Sequence, residues 1–260
     1  MLSTDLTGTT AVVTGAGRGI GLAVVRALAG CGATVVAGTR TVTPELGAAT
    51  PHALALDLAS AEGPGRLVAH ALDVSGGVDL LVNNVGGNPA PLGGFLATTD
   101  EDWQTVLDLN LLSTVRATRA ALPSLQQRGG AIVNVASTNA RLGMGPVVAY
   151  GAAKAAVLSL GKALADEFGP AGVRVNTISP GPVLTPMWTA DGSPGATMTA
   201  AMGIGRDEID ARVPAALGMT TSSMVAPEEV AALVVALASD ALPSMRGAEL
   251  VLDGGLLKAL

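Results

Sequence analysis

The sequence predicts an α/β fold, a single doubly wound domain with a central parallel sheet of about seven strands and helices on both faces. Three observations predict it. Short β-branched runs alternate with longer alanine-rich segments, the pattern of βαβ units. The strand segments are almost wholly apolar and flanked by glycine, as where helices cover both faces of a sheet. The 260 residues, 49% hydrophobic and 14% charged, suit one large α/β domain. No Pro/Ser-rich linker divides them, so residues 1–260 read as one unit.

The elements follow in order. Residues 10–14 (TAVVT) read as the first strand and 20–29 as the first helix, with Leu22, Val25 and Leu28 at helical spacing before Gly30-Cys31-Gly32. Residues 33–37 (ATVVA) form the second strand and 52–56 a weaker third. A helix over 62–72 precedes strand four at 78–82 (VDLLV). One long helix spans 100–125, with Thr99 or Asp100 as N-cap and carboxylates in its first turn. Gly129-Gly130 ends it before strand five at 131–135 (AIVNV). A helix over 148–168 stops at Gly169-Pro170, and strand six covers 173–178. Residues 182–226 interleave Gly, Pro, Thr, Ser and Met with weak periodicity, which marks a functional loop region, a substrate-binding lid. A helix over 228–239 and a last strand over 249–252 close the chain.

Composition removes several classes of function. With one cysteine, Cys31, an intrachain disulfide is impossible, and His52 and His70 leave almost nothing for a zinc site, so no metal is expected. The net charge of −6, with fifteen cationic residues and no basic run, argues against nucleic acid. Mean hydropathy is +0.49, yet the densest aliphatic run, 230–238, is far short of a membrane span. No basic-then-apolar leader opens the chain, so neither insertion nor secretion is expected and a cytoplasmic location is. Cys31 reads as a small buried side chain, and both histidines as surface residues.

Between the first strand and helix lies Thr14-Gly15-Ala16-Gly17-Arg18-Gly19-Ile20-Gly21. Glycines let a backbone approach a phosphate closely, and a helix N-terminus adds unpaired N–H groups and a positive dipole end. The spacing is T-G-x-x-x-G-x-G rather than the strict G-x-G-x-x-G. An ordinary glycine-rich turn is the alternative, and the position after strand one favours a dinucleotide. Strand two runs on to Ala37-Gly38-Thr39-Arg40, so Thr39 stands where a ribose-binding carboxylate would be expected. With Arg40 beside it and Arg18 in the glycine loop, a 2′-phosphate is favoured over a free hydroxyl. NADP(H) is therefore the preferred cofactor, with NAD(H) possible.

Tyr150 is the only tyrosine, and Lys154 follows four residues later on the same helical face. A phenol with pKa near 10 is a poor acid–base catalyst at neutral pH, and a nearby ammonium would lower that value. Ser137, just beyond strand five, could hold a carbonyl oxygen at the sheet's C-terminal edge.

Together these residues resemble the classical short-chain dehydrogenase/reductase family over essentially the whole chain. Gly15, Gly19 and Gly21 are similar to its cofactor loop, and Asp57-Leu58 to its adenine-contacting pair. Asn83-Asn84-Val85-Gly86 resembles its N-N-A-G turn, with valine for alanine. Asn110 matches its structural and proton-relay asparagine, and Ser137, Tyr150 and Lys154 its other catalytic members. Asn176-Thr177-Ile178-Ser179-Pro180-Gly181, with Val183 and Thr185, resembles its nicotinamide-holding segment, and Asp253-Gly254-Gly255 its closing motif. The resemblance implies a Rossmann-type fold and hydride transfer between nicotinamide and a carbonyl carbon. Tyr150 would exchange the oxygen-bound proton and Ser137 would bind that oxygen. Lys154 would lower the tyrosine pKa and hold the ribose, while Asn110 positions a relay water. It also implies a homotetramer.

Other features keep two readings. Trp188, Met187, Met198, Met202, Met219 and Met224 line an apolar substrate pocket or pack the lid down. Phe95 and Met144 would border the same pocket. Arg141, Arg206 and Arg212 grip an acidic substrate or are solvated surface residues. The apolar face of the 100–125 helix suggests a dimer. The function expected is an NADPH-dependent carbonyl reductase or secondary-alcohol dehydrogenase acting on a small ketone or alcohol, with neither nucleic acid nor membrane as partner. The alternatives are an NAD-linked alcohol or sugar dehydrogenase, and a non-catalytic NADP-binding scaffold.

Overall fold

The computed structural model describes residues 4–258. Seven parallel strands form one sheet: β1 Thr10–Thr14, β2 Thr34–Thr39, β3 His52–Ala55, β4 Leu80–Asn83, β5 Ala131–Val135, β6 Arg174–Pro180 and β7 Glu249–Leu252. Their spatial order is β3-β2-β1-β4-β5-β6-β7, so the chain reverses direction across the sheet between β1 and β4. Open α/β sheets bind ligands at such a reversal, beyond the C-terminal ends of the strands.

Alternation along the strands builds two cores. Val12, Val36, Leu81, Ile132 and Val175 face one side, under α3 (Gly63–Ser75), α5 (Ser113–Arg128) and α6 (Val148–Phe168). Val13, Val35, Val82, Val133 and Ile178 face the other, under α1 (Gly19–Gly30) and α10 (Pro227–Ala238). A period of two with both faces covered leaves the strands mostly apolar.

The expected long helix is divided. α4 (Asp100–Leu107) passes through a π-helical turn, Asp108–Leu112, into α5, which runs three residues past 125 and tolerates Pro123. Thr99 is the N-cap, in a reciprocal capping box with Asp102. A short helix absent from the sequence reading, α2 (Pro44–Ala49), lies between β2 and β3.

Residues 182–226 hold helices rather than loop: α7 (Pro186–Thr189), α8 (Pro194–Ala201) and α9 (Ile209–Leu217), with a 3₁₀ turn at Arg206–Glu208. A parallel bridge between Val183 and Val225 closes the base of this excursion, where the Leu184 N–H donates to the Val225 carbonyl at 2.9 Å. Trp188, Ile204, Ile209, Val213 and Met224 give it a small core of its own.

Three expectations are corrected. Cys31 is half-buried, because it caps the end of α1. His52 and His70 are half-buried too, their rings 6.4 Å apart between edge strand β3 and α3. The segment Gly145–Phe168 is long and apolar enough to cross a membrane, with a mean hydropathy of 1.3. It packs on the sheet and carries the buried Lys154.

Candidate active site

The loop after β1 and the turn after β4 are bound to each other. The Thr14 hydroxyl donates to the Val82 carbonyl at 3.2 Å and accepts the N–H groups of Asn84 and Val85 at 2.9 and 3.1 Å. The Asn84 side-chain amide donates to the carbonyls of Thr14 and Gly15 at 3.0 and 3.1 Å. Thr14 was legible as the end of the first strand and the opening of the glycine loop, but nothing in that spacing marks a hydroxyl with this bridging task.

The glycine loop offers what a dinucleotide phosphate requires. Gly15 and Gly19 adopt φ of +69° and +54°, a region that side chains strain to reach. Gly17 lies against Thr39, whose hydroxyl oxygen would stand 2.4 Å from a Cβ placed there. Across the loop, a Cβ on Gly19 would come within 3.0 Å of the Thr185 methyl, so the segment after β6 faces the loop directly. Ile20 lies in the first turn of α1, half-buried. Arg18 and Arg40 are exposed, and among the described residues neither is paired with a carboxylate. Thr39 is buried at the end of β2. This backbone cradle with two free guanidiniums fits the phosphates of a dinucleotide.

Asp57 and Leu58 follow β3. The exposed Asp57 carboxylate accepts the Ala59 N–H at 3.0 Å, while Leu58 is buried. Arg116 of α5, which sequence reasoning missed, donates to the Ala59 and Ser60 carbonyls at 2.8 and 3.4 Å. Its other nitrogen pairs with Asp108 at 2.9 Å, at the start of the π turn. At the far side, the Gly181 N–H donates to the Leu252 carbonyl, and Asp253 backs Gly181 so closely that a Cβ there would lie 2.7 Å away. Pro180 ends β6, and Val183 opens the lid through its bridge to Val225.

Asn110, Ser137, Tyr150 and Lys154 converge beside these loops. Asn110 is fully buried in the π turn. Its Nδ2 donates to the carbonyls of Val106 and Gly87 at 2.9 Å each, and its Oδ1 accepts the Gly87 N–H at 3.0 Å. Lys154 Nζ donates to the Val135 carbonyl at 2.8 Å and lies 5.8 Å from the Tyr150 ring centroid. A Cβ on Gly86 would sit 2.8 Å from Asn110 Oδ1 and 2.9 Å from Lys154 Nζ, which brings these groups under one backbone position. Ser137 Oγ accepts the Asn139 N–H at 3.1 Å and lies near enough to the Tyr150 phenol to lower its pKa.

Protonation differs from the sequence expectation. Burial pushes the Tyr150 phenol above its usual value, and the neighbouring Ser137 side chain offsets this only in part. Burial also pushes Lys154 down to about 8. The expected acidification of the phenol by its lysine is absent from the protein alone. Spacing reveals the shared helical face but not the desolvation both groups undergo there.

A family model described as Enoyl-(Acyl carrier protein) reductase matches residues 15–257. L-fucose dehydrogenase of Bos taurus is 36% identical over 98% of this chain and 91% of its own length. The chain belongs to the short-chain dehydrogenase/reductase family. A ketoacyl reductase ascribed to the monensin polyketide synthase of Streptomyces virginiae is 39% identical, over 97% of this chain and 98% of its own. The L-sorbose reductase of Gluconobacter frateurii, solved with NADPH and L-sorbose, superposes with a TM-score of 0.89 at 31% identity, covering 100% of both chains. As a short-chain dehydrogenase/reductase, the protein is an oxidoreductase acting on CH–OH groups, and its Rossmann-type sheet serves a nicotinamide cofactor.

Proposed function

We propose that the chain is an NADPH-dependent carbonyl reductase, operating reversibly as a secondary-alcohol dehydrogenase. The convergence of Ser137, Tyr150, Lys154 and Asn110 beside the glycine loop carries this reading. Bound nicotinamide supplies or receives the hydride. Ser137 and Tyr150 present two hydroxyls to the substrate oxygen, which fixes the carbonyl and polarises it. At neutral pH the raised phenol is protonated, so Tyr150 is set to donate to the oxygen that gains charge during reduction. Lys154 holds positive charge beside the phenol and would hold the nicotinamide ribose. Asn110 fixes the Gly87 backbone and the end of the relay. Gly15, Gly17, Arg18, Gly19, Ile20, Asn84, Val85 and Gly86 would line the phosphates and nicotinamide, Asp57 and Leu58 the adenine, and Pro180, Gly181, Val183 and Thr185 the carboxamide.

The absent carboxylate at Thr39, with unpaired Arg18 and Arg40, supports NADP over NAD. The L-sorbose reductase complex contains NADPH, which agrees. A second reading, an NAD-linked sugar or alcohol dehydrogenase, is favoured by the relative named for L-fucose. KM for both nucleotides in both directions separates the two. Assembly as a homotetramer or homodimer belongs to the same proposal. It is supported by an apolar groove between α5 and α6 lined by Val115, Leu122, Leu160 and Phe168, and light scattering on the eluted protein reads it. Tyr150→Phe tests the whole: turnover is expected to vanish while NADPH affinity stays within about twofold, and a substantial residual rate would count against the proton role.

A further inference from the structure

We infer that the substrate bears its carbonyl on an extended apolar frame, such as an alkyl or aryl ketone, rather than on a polyhydroxylated one. This rests on the oxidoreductase reading above. Among the described residues nine large apolar side chains are exposed, and six of them lie on the three segments that leave the C-terminal ends of β4, β5 and β6. Leu92, Phe95 and Leu96 follow β4, Met144 follows β5, and Met187 and Met202 follow β6. Leu96 is 99% exposed and Phe95 66%. The first two of these segments border Ser137 and Tyr150: Ala90 packs in one cluster with Tyr150, the chain after β5 runs from Ser137 to Tyr150, and a Cβ on Gly94 would lie 3.9 Å from the Gly145 carbonyl oxygen. Apolar surface gathered at the mouth of a site marks an apolar ligand.

Polar side chains are scarce in the two stretches of the first segments that carry Leu92, Phe95, Leu96 and Met144. Residues 142–149 (LGMGPVVA) carry no side-chain nitrogen or oxygen, and residues 85–97 carry only Asn88, which donates to the Ala90 carbonyl at 3.2 Å. The three arginines that could grip an acidic substrate are engaged: Arg141 with Glu249, Arg206 with Asp191 and Arg212 with Glu208. A sugar carries a hydroxyl on nearly every carbon, and each needs a partner when it leaves water. These two segments offer one such side chain between them.

Steady-state kcat/KM of the full chain with NADPH tests this, using 2-butanone, 2-hexanone and 2-octanone beside L-sorbose. Full burial of a methylene is worth about fourfold, so kcat/KM is expected to climb roughly two- to fourfold per methylene along the series, and 2-octanone to exceed L-sorbose at least about a hundredfold. A flat series, or L-sorbose outrunning 2-octanone, overturns the inference and leaves the oxidoreductase reading standing. Bound NADPH with no turnover of any of the four compounds overturns both. Phe95→Ser combined with Leu96→Ser, both exposed and so compatible with folding, is expected to flatten the series. An unchanged slope with a shifted elution volume would instead identify the patch as a contact between copies and overturn the inference.

Discussion

Lys154 is 3% exposed, and its ammonium makes one hydrogen bond, to a backbone carbonyl. Its pKa of about 8 in the folded chain lies below the ordinary 10.5. Below pH 8 the group is charged in both folded and unfolded chains, and the burial penalty is fully present. Between pH 8 and 10.5 the unfolded chain keeps a proton that the folded one has released, so stability rises with pH across that window, by up to about 3 kcal/mol. Urea unfolding at pH 7.5 and 9.5 should show the rise in the wild type and not in Lys154→Met. Tyr150 acts oppositely above pH 10, where the unfolded phenol ionises first. At Gly86 the constraint is steric: Gly86→Ala must displace Asn110 or Lys154, and kcat is expected to fall at least about tenfold with a stability loss of about 1–3 kcal/mol, read by kinetics and thermal melting. The identities of these residues were legible because motif order exposes them. Their environments were not, since the upward shift of Tyr150 comes from packing contributed by elements distant in sequence.

Between α4 and α5 the π turn gives Asn110 a backbone position that a regular helix would not, and extra-residue turns of this kind recur at functional sites. Arg116 ties that turn, through Asp108, to the carbonyls just beyond Asp57 and Leu58. Arg116→Ala is expected to raise KM for NADPH about three- to tenfold with little change in kcat. It should also weaken adenosine 2′,5′-bisphosphate as a competitor by a similar factor. Neither the turn nor the link shows in sequence, because helical periodicity survives one inserted residue and a hydrogen bond to a carbonyl leaves no pattern. The lid helices were missed for a related reason. They are four to nine residues long, α7 and α8 open on proline and α9 contains Pro214, so none is long enough for its apolar spacing to emerge. The strands, in contrast, announced themselves within a residue or two, since burial on both faces of the central strands concentrates Val, Ile, Leu and Ala there.

For the molecule as an acid–base device, a phenol raised by burial favours the protonated form at neutral pH. Reduction should be nearly flat from pH 6 to 8, whereas alcohol oxidation needs the phenolate and should rise toward about tenfold per pH unit in the alkaline range; parallel pH profiles of kcat/KM in both directions check this. On the proposed reading nucleotide choice is made at the sheet's opposite wing, where Arg40→Ala should weaken NADPH at least about tenfold and NADH by less than twofold. Equal losses would show that Arg40 does not read the 2′-phosphate.

The Val183–Val225 bridge brings together two backbone positions separated by forty-one intervening residues. What lies between them folds around its own tryptophan and is tied back to the C-terminal segment where the Thr220 and Thr221 N–H groups donate to the Gly254 carbonyl. Such an insert is a cassette: a relative's equivalent, spliced in beyond Thr185 so that its contact with Gly19 is kept, would change what the enzyme accepts.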